Sequence, residues 1–404
     1  MPDNLIVQCR IYLIYLKSQF IVTKFLQILI LFLALHFLFC ASFRPPRPAN
    51  SKDFPGEFQQ IIDSVRQKYC PDNRLAAYDI NGALQGNSIQ LTGETNSREA
   101  FNELNLQFKK LADYNFKNET ELLPAKVLGK DTCGIVRISV ANLHLESLIT
   151  TNLVNQALMG SKVKILKQKS GSCLGQLEDG YLGWIDAIVL TVGTTALYEE
   201  WDRLEKVVVT TFWGLVYAEK NEKSSAITDI VVADELGFLA AEEDWVKVQL
   251  PDKRIGYVKA DLVMEKKKWQ NQPVPTPEDI MQSALKLKGF PYLWGGTSIK
   301  AMDCSGFTGT VYRMNRIILP RDANMQVDVG SEVEITNNFE NLKPADLLFF
   351  GSKKDRITHV GIYLGNFQFI HSEGLVRQDS FKSDDSNFYP YRLRTLKRVK
   401  RILN

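Results

Sequence analysis

The sequence predicts an α+β chain in which a small α/β domain and two small β-barrels precede a C-terminal α+β domain. Three observations carry that reading. Between about residues 57 and 114 helical spacing of apolar residues flanks the strand-like SIQLTGET. From about 134 to 264 the pattern changes to short strands separated by turns, with a weak internal repeat. The segment WQNQPVPTPED then marks a boundary with its prolines, and about 130 residues remain, enough for a domain with its own core.

Taken in order, the first segment is not part of that core. Residues 25–43 carry no formal charge and follow Arg10, Lys17 and Lys24, the pattern of an export signal. The run is also nearly long enough to span a bilayer, so residues 1–43 read as a signal peptide or a membrane anchor. Cys40 keeps a lipoprotein reading open, although Phe39 is bulky for such a cleavage site and cleavage near Ser42 competes with it. The expected location is the periplasm or cell envelope. Residues 44–54, with RPPRPAN, read as a linker because proline resists helix and sheet. Residues 55–130 form the small α/β domain, in which nothing points to chemistry.

The repeat delimits the barrels as residues 134–190 and 205–265. GQLEDGYLGWI in the first resembles VQLPDKRIGYV in the second, each with a polar turn containing Asp and a Gly-aromatic pair. Aligning Gly183-Trp184 with Gly256-Tyr257 sets Ser172 where the second copy has Trp245. Each copy resembles a bacterial SH3-like domain.

Composition excludes several classes. A formal charge of +3 over 404 residues, without a dense basic face, does not fit a nucleic-acid-binding protein. Lys266, Lys267 and Lys268 read as a solvated linker edge. The 6 cysteines form no Cys-x-x-Cys pair, which argues against structural zinc and against a disulfide scaffold. A Cys70–Cys133 bridge stays open for an oxidising compartment. No cofactor is implied, and a monomer is expected.

The chemistry gathers in residues 273–404. Of the 4 histidines, His36 lies in the apolar run and His144 in the first barrel, which leaves His359 and His371 in the same domain as Cys304. Asp303-Cys304-Ser305-Gly306 opens a helical pattern whose Phe307, Val311 and Met314 share one apolar face. Asp303 suits the N-cap. A thiol in the first turn feels the positive end of the helix dipole, which favours thiolate, and unpaired N–H groups there can hold an oxyanion.

Both histidines fall on a predicted hairpin, ITHVGIYLGNFQFIHSEG. A two-residue loop at Gly365-Asn366 would set the imidazoles on opposite faces. A loop centred on Gly365, or a bulge, would make them cross-strand neighbours on one face, and cooperation requires that second arrangement.

The pieces YLWGG, DCSGF, LPRDANMQ, KPADLLFF, ITHVGIYLG and FIHSEG, in that order, resemble the NlpC/P60 cell-wall peptidases, which are papain-like enzymes. The resemblance implies Cys304 as nucleophile, His359 as general base and later acid, and His371 as the residue orienting His359. It sets Tyr292 at the active-site wall near the oxyanion. Two SH3-like domains before such a domain resemble the γ-D-glutamyl-L-diamino acid endopeptidases, which release L-Ala-D-Glu from peptides with a free N-terminal amine. That subgroup implies Asp303, Ser305, Arg321 and Asp322 on the peptidase side of the substrate, and Glu146 as the barrel-side acid. An ammonium withdrawn from water needs a carboxylate partner, although Asp322 could equally be a turn residue. Peptidoglycan-derived peptides are therefore the expected partners. Ser172 and the ANLHLESL stretch depart from the subgroup. An endopeptidase or amidase acting on intact wall, a non-catalytic wall-binding protein, and a zinc site built from Cys304, His359 and His371 are the competing readings.

Overall fold

The computed structural model describes residues 54–148 and 150–403. The predicted export segment, and all of the linker but Phe54, lie outside the described residues.

The N-terminal part has the expected helix, strand and helix, with three strands beyond the one its spacing announced. Helix α1 (Gly56–Tyr69) is followed by β1 (Tyr78–Gln85), β2 (Ser88–Thr95), α2 (Arg98–Lys109), β3 (Asn115–Asn118) and β4 (Glu121–Leu122). Strand β2 pairs antiparallel with β1 and parallel with β3 and β4. The helical face is real: Phe58, Ile62 and Val65 of α1 meet Ala100, Leu104 and Phe108 of α2 over Ile89 and Leu91. Ser97 caps α2 by accepting from the Ala100 N–H.

Next come seven strands, β5 (Cys133–Val136), β6 (Val140–His144), β7 (Leu153–Leu158), β8 (Lys162–Lys169), β9 (Ser172–Leu177), β10 (Leu182–Asp186) and β11 (Leu190–Gly193). Helix α3 (Thr195–Arg203) leads to seven more: β12 (Lys206–Val209), β13 (Trp213–Tyr217), β14 (Ala226–Val231), β15 (Glu235–Glu242), β16 (Trp245–Gln249), β17 (Ile255–Lys259) and β18 (Val263–Glu265). The first sheet runs β11-β5-β8-β9-β10-β6-β7 and the second β14-β13-β17-β16-β15-β12-β18. Read from opposite ends these are the same order, strand for strand. Ser172 and Trp245 open equivalent strands, and their cross-strand partners Asp186 and Lys259 are equivalent too. The weak sequence repeat is therefore a repeat of topology.

The three lysines at the end of this region lie in a short helix, α4 (Lys266–Gln270), where they pair with Glu235, Glu205 and Glu265. Cys70 and Cys133 are both free thiols, each buried in a different part of the chain, so the open disulfide is corrected to none between them.

The C-terminal part starts with α5 (Pro277–Lys286), closed at its N-terminus by a Thr276/Asp279 capping box. Strands β19 (Thr297–Ser298) and β20 (Ala301–Met302) precede α6 (Cys304–Met314) and α7 (Ala323–Gln326). Then follow β21 (Ser331–Glu332), β22 (Leu347–Lys353), β23 (Arg356–Gly365), β24 (Gln368–Glu373), β25 (Leu375–Ser380), α8 (Pro390–Thr395) and β26 (Leu396–Arg401). The antiparallel sheet runs β21-β26-β22-β23-β24-β25. The run LLFF on β22 is buried on both faces: Leu347 and Phe349 pack with Phe307 and Val311 of α6, whereas Leu348 and Phe350 join Phe369, Phe381 and Val399.

Docking of the first seven-stranded sheet is polar and specific. Gln156 on β7 accepts from the Thr297 N–H at 2.9 Å and the Ser298 hydroxyl at 3.0 Å, while its carbonyl takes the Thr297 hydroxyl at 3.2 Å. These buried bonds hold β7 against the loop that precedes Cys304.

Candidate active site

Helix α6 begins at Cys304 because Asp303 caps it, accepting from the Gly306 N–H at 2.7 Å. Gly306 is required by close approach: a Cβ there would lie 1.9 Å from the Gly296 carbonyl oxygen. The first turn is thereby pressed onto the YLWGG loop. The backbone N–H groups of Val360 and Ser305 lie close enough to the Cys304 thiol to favour its charged form. Val360 follows His359 on β23, so the strand that carries that imidazole passes the start of helix α6.

The hairpin register differs from both alternatives considered above. Ile362 pairs with Ile370, Tyr363 with Phe369 and Gly365 with Gln368, with a bulge between Tyr363 and Gly365. The two-residue turn is Asn366-Phe367, both at positive φ (49° and 66°), one position later than the Gly365-Asn366 turn that was expected. His371 falls opposite Gly361, so it is the diagonal neighbour of His359 and lies on the same face. A Cβ at Gly361 would stand 3.0 Å from the His371 Cβ, so the missing side chain is what gives the second ring its room.

The two rings meet edge to face, with His359 Nε2 2.7 Å from His371 Nδ1. His371 Nε2 lies 2.8 Å from Asp379 Oδ2, and the other oxygen, Oδ1, accepts from Arg377 at 2.6 Å. Burial tends to raise Asp379, but the hydrogen bonds from His371 and Arg377 outweigh it and hold the carboxyl below its ordinary value. An ionised Asp379 only accepts, so His371 Nε2 carries hydrogen. Burial holds His371 below the ordinary imidazole value against the pull of Asp379, so the ring is neutral and its Nδ1 accepts. His359 then donates through Nε2, and its Nδ1 keeps a lone pair for the thiol. The tautomers follow from this network. Asp379 is a member that sequence reasoning missed. A strand continuing past the Gly374 turn would have put it on the His371 face, two residues beyond Arg377.

Electrostatics corrects one expectation. Burial first, and then the Asp303 charge, push the Cys304 thiol up to about 12, and the two backbone N–H groups only moderate the rise. Burial, the His371 ring and the Arg392 guanidinium hold His359 well below its usual value. Both directions favour an uncharged thiol–imidazole pair at rest, instead of the thiolate the helix start alone would favour. Tyr292 is near enough to feel the Cys304 charge; burial first, and that charge second, push its phenol up to about 12.

Asp303, Ser305 and Arg321 are bound to one another. Arg321 Nη2 lies 2.7 Å from Asp303 Oδ2 and Nη1 2.9 Å from Ser305 Oγ, while the Ser305 hydroxyl donates to Asp303 at 3.1 Å and the Gly295 N–H does so at 3.0 Å. All three are buried at the base of helix α6, where Ser305 and Arg321 also line a cavity. The Asp303→Ala variant is expected to lose about 3–5 kcal/mol in urea unfolding, because it removes the cap and leaves the Arg321 charge buried and unpaired.

Asp322 touches this group only through a 3.7 Å ion pair with Arg321. It occupies the N-cap position of α7, yet its carboxylate makes no capping bond, so the turn-residue reading is not what the structure displays. Its Oδ2 accepts from Arg74 of the N-terminal part at 2.7 Å and from the Tyr181 hydroxyl at 3.2 Å. That N-terminal part, in which the sequence showed no chemistry, therefore reaches the site. Glu146 is exposed on the β6–β7 loop, its backbone N–H on the Thr151 hydroxyl, and its carboxylate makes no hydrogen bond or ion pair with a described residue.

His359, His371 and Glu373 could in principle hold an ion, since one ligand atom of each lies within 4.8 Å of the others. Two nitrogens sharing a tetrahedral zinc stand about 3.3 Å apart, given bonds of about 2.0–2.1 Å. At 2.7 Å His359 and His371 are instead joined by a hydrogen bond, and Cys304 is not in the cluster. A separate cavity of about 600 Å³ opens between both seven-stranded sheets and the Gly309/Arg313 side of α6; Cys304, His359 and His371 do not line it.

Known proteins resemble this chain in sequence and in fold. The profile of the NlpC/P60 family matches residues 289–395, and that of the bacterial dipeptidyl-peptidase Sh3 domain matches residues 150–187. A gamma-D-glutamyl-L-lysine dipeptidyl-peptidase of Bacillus subtilis is 31% identical over 56% of this chain and 74% of its own length. Its Bacillus cereus counterpart is 29% identical over 56% and 70%, and dipeptidyl-peptidase 6 of Lysinibacillus sphaericus 28% over 59% and 87%. The crystal structure of an NlpC/P60 family protein from Bacillus cereus superposes with a TM-score of 0.59 at 23% identity, covering 67% of this chain and 100% of that one, a likeness of fold.

Proposed function

The chain belongs to the NlpC/P60 family as a cysteine-type peptidase, and from that premise we propose that it hydrolyses the γ-D-glutamyl-L-diamino acid bond of peptidoglycan stem peptides, releasing L-Ala-D-Glu. The observation that carries the chemistry is the Asp379–His371–His359 chain, which orients His359 on the strand that passes the start of the Cys304 helix. His359 Nδ1 takes the thiol proton as the Cys304 sulfur attacks the amide carbonyl. The oxyanion is held by first-turn N–H groups that the cap leaves free, with Tyr292 on the opposite wall. Protonated His359 gives its proton to the leaving amine as the acyl-enzyme forms, and water, deprotonated by the same nitrogen, releases the acid.

In this reading His371 positions His359, Asp379 positions His371, and Asp303, Ser305 and Arg321 hold the nucleophile's helix in place. Asp322 is the acceptor on the amine side of the substrate, with Glu146 a further acid on the barrel side. The second seven-stranded sheet, sharing the first one's strand order, reads as a second SH3-like unit. Residues 1–43 direct the chain to the cell envelope, which fractionation of cells expressing the full chain would test.

The deciding experiment is mass spectrometry of products from a defined stem tripeptide, L-Ala-γ-D-Glu-L-Lys or its diaminopimelate analogue. Release of free diamino acid is expected, and cleavage at any other bond would overturn the assignment. Alkylation offers a second check. Among the described cysteines Cys304 alone is not fully buried, so iodoacetamide should modify it first. Because the thiol is raised, the rate should climb from about pH 7 to about pH 10, and a flat profile would mean a resting thiolate. The endopeptidase reading on intact wall keeps one observation in its favour, the guanidinium already seated on Asp322.

A further inference from the structure

Three parts of the chain meet at the Asp322 carboxylate. Oδ2 is occupied by Arg74 Nη1 at 2.7 Å and by the Tyr181 hydroxyl at 3.2 Å. Oδ1 is ion-paired with Arg321 Nη1 at 3.7 Å, too far for a hydrogen bond, and it accepts none from a described residue. The Asp322 side chain keeps 24% of its exposure.

Arg74 is built into this wall. Asp72 grips it through Nε at 2.9 Å, through Nη2 at 2.5 Å, and through the Arg74 backbone N–H at 2.9 Å. The Asn324 side-chain oxygen takes Nη1 at 2.8 Å, and the Arg74 carbonyl accepts from the Leu182 N–H of β10 at 2.7 Å. The hydrogen bonds that Arg74 donates to Asp72, and the charge of Asp322, favour the charged guanidinium despite its partial burial. A fixed cation therefore stands next to the oxygen left for a substrate.

That arrangement discriminates between two kinds of N–H donor. A free N-terminal ammonium seeking Oδ1 meets the attraction of Asp322 and the repulsion of Arg74 together. An acylated terminal amine presents a neutral N–H, which can donate to the same oxygen without meeting a like charge. We propose that Arg74 is a specificity-determining residue that weakens the preference for free-amine peptides, so that stem peptides acylated at their first residue are also accepted. The proposal rests on the reading of Asp322 as the amine-side acceptor in the peptidase above.

The test compares kcat/KM of the full chain for L-Ala-γ-D-Glu-L-Lys and its N-acetyl form, across wild type, Arg74→Gln, Arg74→Lys and Asp72→Asn. Arg74→Gln should raise the free-amine to N-acetyl ratio roughly threefold to tenfold, mainly through KM, the size expected of a part-exposed charge. Arg74→Lys should stay near the wild-type ratio. Asp72→Asn, which strips Arg74 of its counter-charge, should move the ratio the other way. This variant keeps the question answerable should Arg74→Gln fail to fold. If both peptides are cleaved and the ratio does not move in Arg74→Gln or Asp72→Asn, or if Arg74→Lys behaves as Arg74→Gln, the charge of Arg74 sets no specificity. If wild type cleaves neither peptide at the γ-glutamyl bond, the peptidase reading falls and takes this one with it, an outcome product masses distinguish from the others.

Discussion

Cys304→Ala is expected to reduce turnover of a stem tripeptide by at least about 10⁴-fold, leaving the fold intact. The sulfur is the group that forms the acyl bond, and the neighbouring hydroxyl of Ser305 is already donated to Asp303 and cannot replace it. Alanine removes one atom at a helix start whose cap, Asp303, is untouched. Thermal melting should therefore match wild type while product release disappears. Retained hydrolysis by a correctly folded Cys304→Ala protein would remove the nucleophile assignment.

Asp379→Asn should have the next largest effect, about 10²–10⁴-fold in kcat with little change in KM. The size follows from which oxygen faces which partner. Oδ1 accepts from Arg377 and Oδ2 from His371. An asparagine keeps its carbonyl oxygen on Arg377, so its NH₂ turns toward His371 Nε2. His371 must then accept at Nε2 and carry hydrogen on Nδ1, which it donates to His359 Nε2. His359 in turn carries its own hydrogen on Nδ1, facing the thiol it is meant to deprotonate. One amide thus inverts two tautomers in series. Nitrogen-15 NMR of the two rings would report the inversion directly, and wild-type kcat in Asp379→Asn would show that the carboxylate does not set the base.

Much of this site was legible in the amino-acid sequence. The helix start at Cys304 follows from the spacing of Phe307 and Val311, both fully buried against the sheet. The pairing of the histidines on one face was legible only as a condition, because strand alternation fixes parity and the turn fixes register. The turn was misplaced by one residue because Phe367 adopts positive φ, a conformation its side chain does not favour. The pull of burial against a thiolate was not legible, since a helix start is visible in a sequence and the enclosure that opposes it is not. Asp379 was hidden by its ordinary setting in LVRQDS, where alternation alone does not say which face meets an imidazole. Arg74 could not be found at all, for no local pattern relates it to an aspartate on another domain.

Arg74 and Asp322 are separated by 248 residues, which gives their contact a history as well as a geometry. At translation rates of about 5–20 residues per second the arginine waits roughly 10–50 seconds before its partner is made. Asp72, two residues away, is made with the arginine and holds it in the folded chain. The contact with Asp322 can form only after those further 248 residues are made.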